Sequence, residues 1–222
     1  MNTRLLDDNI TSQVRDAFAS LEQPVKVLFF GSQEGCQYCG DTQQLLEEVT
    51  ALSEKLTLET YDLQQDAETA AQYGVDKAPG IVIAADEGGE VLDYGIRYAG
   101  IPSGHEFSSL ITDLIQVSRR DSGLSEATRQ FLANLTEPVH MMVFVTPTCP
   151  YCPRAVVLAH QMAMESPLVH AEMVEAMEFP ELSSRFGVSG VPQTTINMGK
   201  GTVVGAVPEG HLVQELQNAL AR

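Results

Sequence analysis

Two Cys-x-x-Cys tetrads lie 113 residues apart in this chain, and each has a proline 43 positions after its first cysteine. Cys36-Gln37-Tyr38-Cys39 is followed by Ala78-Pro79, and Cys149-Pro150-Tyr151-Cys152 by Val191-Pro192. The register extends further. Residues 11–24 align with 125–138, placing Arg15 on Arg129 and Leu21 on Leu135. Tyr73-Gly74-Val75 aligns with Phe186-Gly187-Val188, and Pro102-Ser103-Gly104-His105 with Pro208-Glu209-Gly210-His211. A match of this extent is an internal duplication, so whatever fold one half adopts the other must adopt too.

A chain of 222 residues accommodates two units of about 100 residues each. The polar stretch 117–123 separates the end of one repeat from the start of the next, which predicts units over 1–120 and 121–222. Hydrophobic residues make up 44% of the chain, enough for a core in each half. No segment approaches the roughly 20 continuous apolar residues that a membrane helix requires, and residues 1–20 hold no apolar signal core. The expectation is a soluble, cytoplasmic protein. Thirty acids against 13 bases give a net charge of −17. With no basic cluster larger than Arg119-Arg120, neither nucleic acid nor an anionic membrane is expected as a partner.

Within each half the hydrophobic pattern alternates helix and strand, which predicts an α/β fold with a mixed sheet. Residues 25–30 and 139–145 are apolar runs of strand length, continuous enough to be buried on both faces. Each runs straight into its tetrad. The segments that follow carry Leu45, Leu46 and Val49, or Val156, Ala159 and Met162, at helical spacing. The cysteines therefore belong to helix N-termini. Further strands are expected over 56–63 and 80–85 with a hairpin into 90–96, and over 168–174 and 194–198 with a hairpin into 202–207.

Four cysteines are too few for a disulfide scaffold, and paired thiols at a helix start favour redox chemistry. Unfilled amide N–H groups and the helix dipole stabilise a thiolate there. A second cysteine one turn later attacks the resulting mixed disulfide and releases the client. On this reading Cys36 and Cys149 are nucleophiles, and Cys39 and Cys152 are resolving thiols. Residues 146–156 hold no acid and one base, Arg154, whereas Glu34 lies two residues before Cys36. Nearby carboxylates disfavour a second anion, so Cys149 is predicted to have the lower pKa, with Arg154 and Glu34 as tuning groups.

Two other readings stay open on the sequence. Paired tetrads also occur in zinc sites, although 109 residues intervene here where such sites use about 15 to 20. A chaperone-like module with incidental cysteines would bind clients without exchanging disulfides. His160, two turns after Cys152 on the same helix, is expected to be semi-buried, and no histidine is assigned to catalysis. Seven of eight methionines lie beyond residue 140 and read as core filling, with Met164 and Met177 the ones placed to meet unfolded clients if exposed.

The two tetrads, Val191-Pro192 and the stretch from Phe144 to Pro153 resemble the thioredoxin superfamily, the last being similar to the glutaredoxin signature. The duplicated arrangement, over nearly the whole chain, resembles the protein disulfide oxidoreductases built from two fused thioredoxin-fold units. That resemblance implies cis peptides at Ala78-Pro79 and Val191-Pro192, with Ala78 and Val191 offering backbone to a substrate strand. It implies reduction, formation or isomerisation of protein disulfides, with both sites needed for isomerisation. It further implies protein clients bearing disulfides or thiols, and reduction of a peroxiredoxin is a further expected duty. Residues 25–30 and 139–145 lack the buried Asp of thioredoxin, and the chain has no Trp, so any proton acceptor must be water or an acid distant in sequence. No phosphate-binding loop for a flavin or nicotinamide is evident, so no cofactor or metal is expected, and electrons would come from a thioredoxin-reductase-like donor or small thiols.

Overall fold

The computed structural model describes residues 4–221; residues 1–3 and 222, the outer ends of the two expected units, lie outside the described residues. The first half runs α1 (Asp8–Phe18), β1 (Val25–Gly31), α2 (Cys39–Thr50), β2 (Leu56–Asp62), α3 (Ala67–Gln72), β3 (Gly80–Glu87), β4 (Glu90–Ala99) and α4 (Phe107–Arg119). The second repeats that order as α5 (Glu126–Ala133), β5 (Val139–Val145), α6 (Cys152–Met164), β6 (Val169–Glu175), α7 (Pro180–Arg185), β7 (Gln193–Ile196), β8 (Gly201–Val204) and α8 (Glu209–Leu220). Equivalent caps open the two halves. Asp7 accepts the Ile10 N–H at 2.7 Å and Ser125 that of Thr128 at 3.4 Å, each filling an orphan donor of the first turn.

In each half the strand that leads into a tetrad is central. β1 pairs parallel with β2 and antiparallel with β3, as β5 does with β6 and β7. Val25, Val27, Leu28, Phe29 and Phe30 are all buried, as the unbroken apolar run required. The two four-stranded sheets do not stay separate. β4 pairs parallel with β6 from Ile96 opposite Ala171 to Ala99 opposite Val174, giving one eight-stranded sheet in the order β2-β1-β3-β4-β6-β5-β7-β8. Without that seam both edges would present unpaired N–H and C=O groups. It also explains why β4 extends beyond the expected 90–96.

One apolar core, holding residues from Leu6 to Ala219, crosses both halves. On the opposite face lie smaller clusters under α3 and α7, one around Phe30 and Val82 and another around Phe144 and Val174. Polar links cross the seam as well. His160 on α6 is fully buried rather than semi-buried, because β4 and α4 of the first half cover it. Its Nδ1 lies 2.6 Å from Asp113 Oδ2 and its Nε2 3.1 Å from the Arg97 carbonyl, and Tyr98 donates to the same Asp113 oxygen. On the other face Lys77 pairs with Glu172 of β6 at 3.1 Å.

Candidate active sites

Each tetrad closes a disulfide, Cys36 to Cys39 and Cys149 to Cys152, with Cα atoms 5.5 Å apart in both. The first regular helical residue is the second cysteine, and Tyr38 or Tyr151 caps the helix. The leading sulfur thus sits just ahead of the helix, where the orphan N–H groups point. At the second site the Cys152 N–H donates to Cys149 Sγ at 3.1 Å, the geometry that would stabilise a Cys149 thiolate. At the first site the Ser32 N–H donates instead to Cys39 Sγ at 3.4 Å. Cys152 is fully buried and Cys149 nearly so, whereas Cys36 is half-buried above a buried Cys39.

The peptides Ala78-Pro79 and Val191-Pro192 are both cis. Pro79 accepts the Gly100 N–H at 2.9 Å and Pro192 accepts the Gly205 N–H at 2.7 Å. Each proline stands one residue before its strand. Gly80 faces Phe30 across the ladder and Gln193 faces Phe144, which brings both proline loops to the ends of the strands that deliver the cysteines. Cys36, Ala78 and Pro79 line one cleft together. Glu34 and Arg154 are exposed. Tyr38 and Tyr151 are exposed rim aromatics. No cluster of three or more His, Cys, Asp or Glu that could hold a metal occurs among the described residues, and each sulfur pair is closed within its own unit.

Glu106 escaped sequence reasoning. It ends a 3-10 turn, Gly104–Glu106, that belongs to the first half yet is bound to the second, since the His105 N–H donates to the Pro147 carbonyl at 2.9 Å. Pro147 lies two residues before Cys149. Glu106 is 1% exposed; Ser109 donates to its Oε2 at 2.6 Å, and its Oε1 has no partner. Desolvation pushes this carboxyl up to about 7. Its signal was a departure from the repeat. In the aligned copies Pro102 to Glu106 faces Pro208 to Leu212, so an acid stands where the other half has leucine on a buried helix face.

A family model described as a thioredoxin domain matches residues 139–218. Over its whole length the chain superposes on a protein disulfide oxidoreductase from Aeropyrum pernix with a TM-score of 0.89 and 31% identity, covering 98% of that chain. The chain belongs to the protein disulfide oxidoreductases. With two Cys-x-x-Cys disulfides on this fold, the protein is a disulfide oxidoreductase that works by dithiol exchange. It also resembles the NTD_N/C domain of an alkylhydroperoxide reductase from Enterococcus faecalis, at a TM-score of 0.85 and 28% identity over 94% of this chain and 98% of that one. Among curated sequences it matches an alkyl hydroperoxide reductase component of Staphylococcus aureus at 26% identity over 194 residues, 87% of this chain. The chain spans 34% of the length of that relative.

Proposed function

We propose that the Cys149–Cys152 centre is the faster reductase of the two, with Cys149 as nucleophile, Cys152 as resolving thiol and Glu106 as the proton acceptor. The observation that carries the thiol assignment is the Cys152 N–H aimed at Cys149 Sγ, and Glu106 is proposed as acceptor because its turn packs on α6 and bonds Pro147 beside the tetrad. In the reducing direction the Cys149 thiolate attacks one sulfur of a client disulfide. The client S–S bond breaks, one client thiolate leaves, and a mixed disulfide forms. Cys152 passes its proton to Glu106, and the new thiolate attacks Cys149 Sγ. The client departs as a dithiol, and the protein is left with the Cys149–Cys152 disulfide, two electrons having passed to the client. A carboxyl held near 7 both takes and returns a proton at neutral pH.

Cys36 and Cys39 are proposed to run the same cycle at the first centre, with Ala78 and Val191 pairing client backbone beside their prolines and Glu34 and Arg154 tuning the two leading thiols. The unit boundary is placed near Asp121, between α4 and α5. Reduction of protein clients, with a peroxiredoxin among them, is supported by the hydroperoxide reductases among the relatives. Electrons are proposed to come from a thioredoxin-reductase-like partner or small thiols, with no further cofactor. A cytoplasmic setting is proposed on the chemistry, since a dithiol that works as a reductase needs a compartment that keeps thiols reduced. No helix among the described residues is long and apolar enough to cross a membrane. Insulin reduction with dithiothreitol as donor, comparing Cys36→Ser with Cys149→Ser, tests the assignment. Loss mainly with Cys149→Ser is expected; equal losses in the two variants would mean equivalent centres.

A further inference from the structure

A cleft of about 420 Å³ opens beside Cys36, and the first unit does not build it alone. It is lined by Cys36 with the Ala78-Pro79 peptide, and by Glu175 at the end of β6 with Met177 and Glu178 of the turn that follows. The two glutamates are joined there through the Glu178 main chain. The Glu178 N–H donates to Glu175 Oε2 at 2.6 Å, and Glu178 Oε1 accepts the Ile101 N–H at 2.7 Å. Gly100, which precedes Ile101, has φ +99, and a Cβ on it would stand 2.6 Å from Glu175 Cβ and 2.8 Å from Glu178 Oε1. Because the Gly100 N–H also donates to the Pro79 carbonyl, the acid pair is locked to the proline loop of the first centre.

What the pair lacks is a cation. Three other partly buried acids have one, Asp93 with Arg97 at 2.6 Å, Glu172 with Lys77 at 3.1 Å and Glu59 with Lys26 at 2.7 Å, whereas this pair, like Glu106, has none. No Lys, Arg or His lines this cleft among the described residues. Glu175 is 3% exposed, and its Oε1 has no hydrogen-bond partner. Desolvation pushes Glu178 up to about 7 and raises Glu175 as well, because burial disfavours their charged forms and no cation offsets it. An unpaired buried carboxyl is costly, and an arriving ammonium or guanidinium converts that cost into a charge-assisted hydrogen bond. At the rim, exposed Tyr38 and Met177 offer apolar surface to the aliphatic stem of such a side chain.

We propose that this two-unit cleft seats the client segment at the Cys36 centre, and that Glu175 and Glu178 select clients carrying a lysine or arginine beside the reacting cysteine. The proposal rests on the reading of Cys36 as an exchanging thiol. It assigns the first centre a client preference of its own, distinct from that of the Cys149 centre.

The test uses the full chain with its second centre silenced by Cys149→Ser and Cys152→Ser. Three short peptides, identical except for Lys, Ala or Glu next to a single cysteine, are supplied as 2-thiopyridyl mixed disulfides. Release of pyridine-2-thione is followed at low salt and divided by the rate of each peptide with dithiothreitol, which removes intrinsic reactivity. The Lys peptide is expected to react about tenfold faster than the Glu peptide, the scale of one charge-assisted contact. That ratio should collapse to about twofold or less when Glu175→Gln and Glu178→Gln are added, with residual long-range steering accounting for the rest. Equal normalised rates for the three peptides, or a ratio that survives both Gln substitutions, overturns the proposal while exchange at Cys36 stands. No thione release from any peptide removes the first centre as an exchanging dithiol and the proposal with it. The peptide comparison needs no change in the acid pair, so equal normalised rates overturn the proposal even if a Gln variant fails to fold.

Discussion

Cys149 and Cys36 share a fold position but not an environment, and the difference should appear as a shift in titration. Cys149 receives the Cys152 N–H, whereas Cys36 shares its cleft with Glu175 and Glu178. In the reduced protein the Cys149 thiol should titrate about one pH unit or more below Cys36. Iodoacetamide labelling from pH 5 to 9, read site by site by mass spectrometry, gives both midpoints. Midpoints rather than rates decide the point, since Cys36 is the more accessible sulfur. A lower midpoint for Cys36 would refute the electrostatic ordering. Glu106 makes a second prediction at this scale. Its carboxyl is raised from 4.5 to about 7 by burial, so the folded protein holds a proton that the unfolded chain releases between those values. Stability is therefore full below about pH 4.5, falls as pH rises to about 7, and is flat beyond. Glu106→Gln cannot titrate, so its stability relative to the parent should improve by about 3 kcal/mol across that window. The same variant should slow resolution at Cys152 and remove an inflection near pH 7 from its rate profile. Urea unfolding at pH 4.5 and 7.5 measures the first effect, and a gain that does not grow with pH would contradict it.

Among the elements, the Gly104–Glu106 turn couples the first half to the second tetrad. Gly104 has φ +60, and an added Cβ would meet the Pro147 carbonyl oxygen. Gly104→Ala should therefore cost about 2 kcal/mol and displace the turn, slowing Cys149 exchange while sparing Cys36. Peptide thiol exchange measured at each centre alone checks this; equal slowing of both centres would mean the damage is global. The legibility of the elements follows the same physics. Strands flanked on both faces by apolar side chains announce themselves, which is why β1 and β5 and the helices behind them could be placed from residues alone. Pairing along β4 and β6 could not, because its hydrogen bonds are main-chain and leave no side-chain pattern. The third strand of the second half, expected over 194–198, ends at Ile196 because Asn197 and Met198 adopt φ of 45° and 58°. Asn197 uses its side chain there to accept the His140 N–H at 2.8 Å and to donate to the Pro138 carbonyl at 3.2 Å. At the site, the four cysteines and two prolines were legible from spacing. Glu106, Glu175 and Glu178 were not, since each lies more than 40 positions in sequence from the tetrad it is proposed to serve.

For the whole molecule, one sheet and one core make the two repeats a single mechanical body. The β4–β6 ladder, the Lys77–Glu172 pair and the buried His160–Asp113 contact all cross the seam. A duplicated chain with an independent core in each half would unfold in two steps; this one should unfold in one. The chain has no Trp, so buried thiols serve as local probes: Cys39 reports on the first half and Cys152 on the second. Pulsed alkylation of the reduced protein across a urea gradient should give coincident midpoints for the two. His160→Leu sharpens the test. It strips Asp113 of a partner at full burial, a loss of about 3 kcal/mol, and lies in the second half while Asp113 lies in the first. If the seam is as continuous as the ladder implies, the Cys39 and Cys152 midpoints should fall together by the same amount. A variant in which Cys152 becomes reactive at lower urea while Cys39 keeps its original midpoint would show the halves to be separately stable, with the seam reduced to a docking contact.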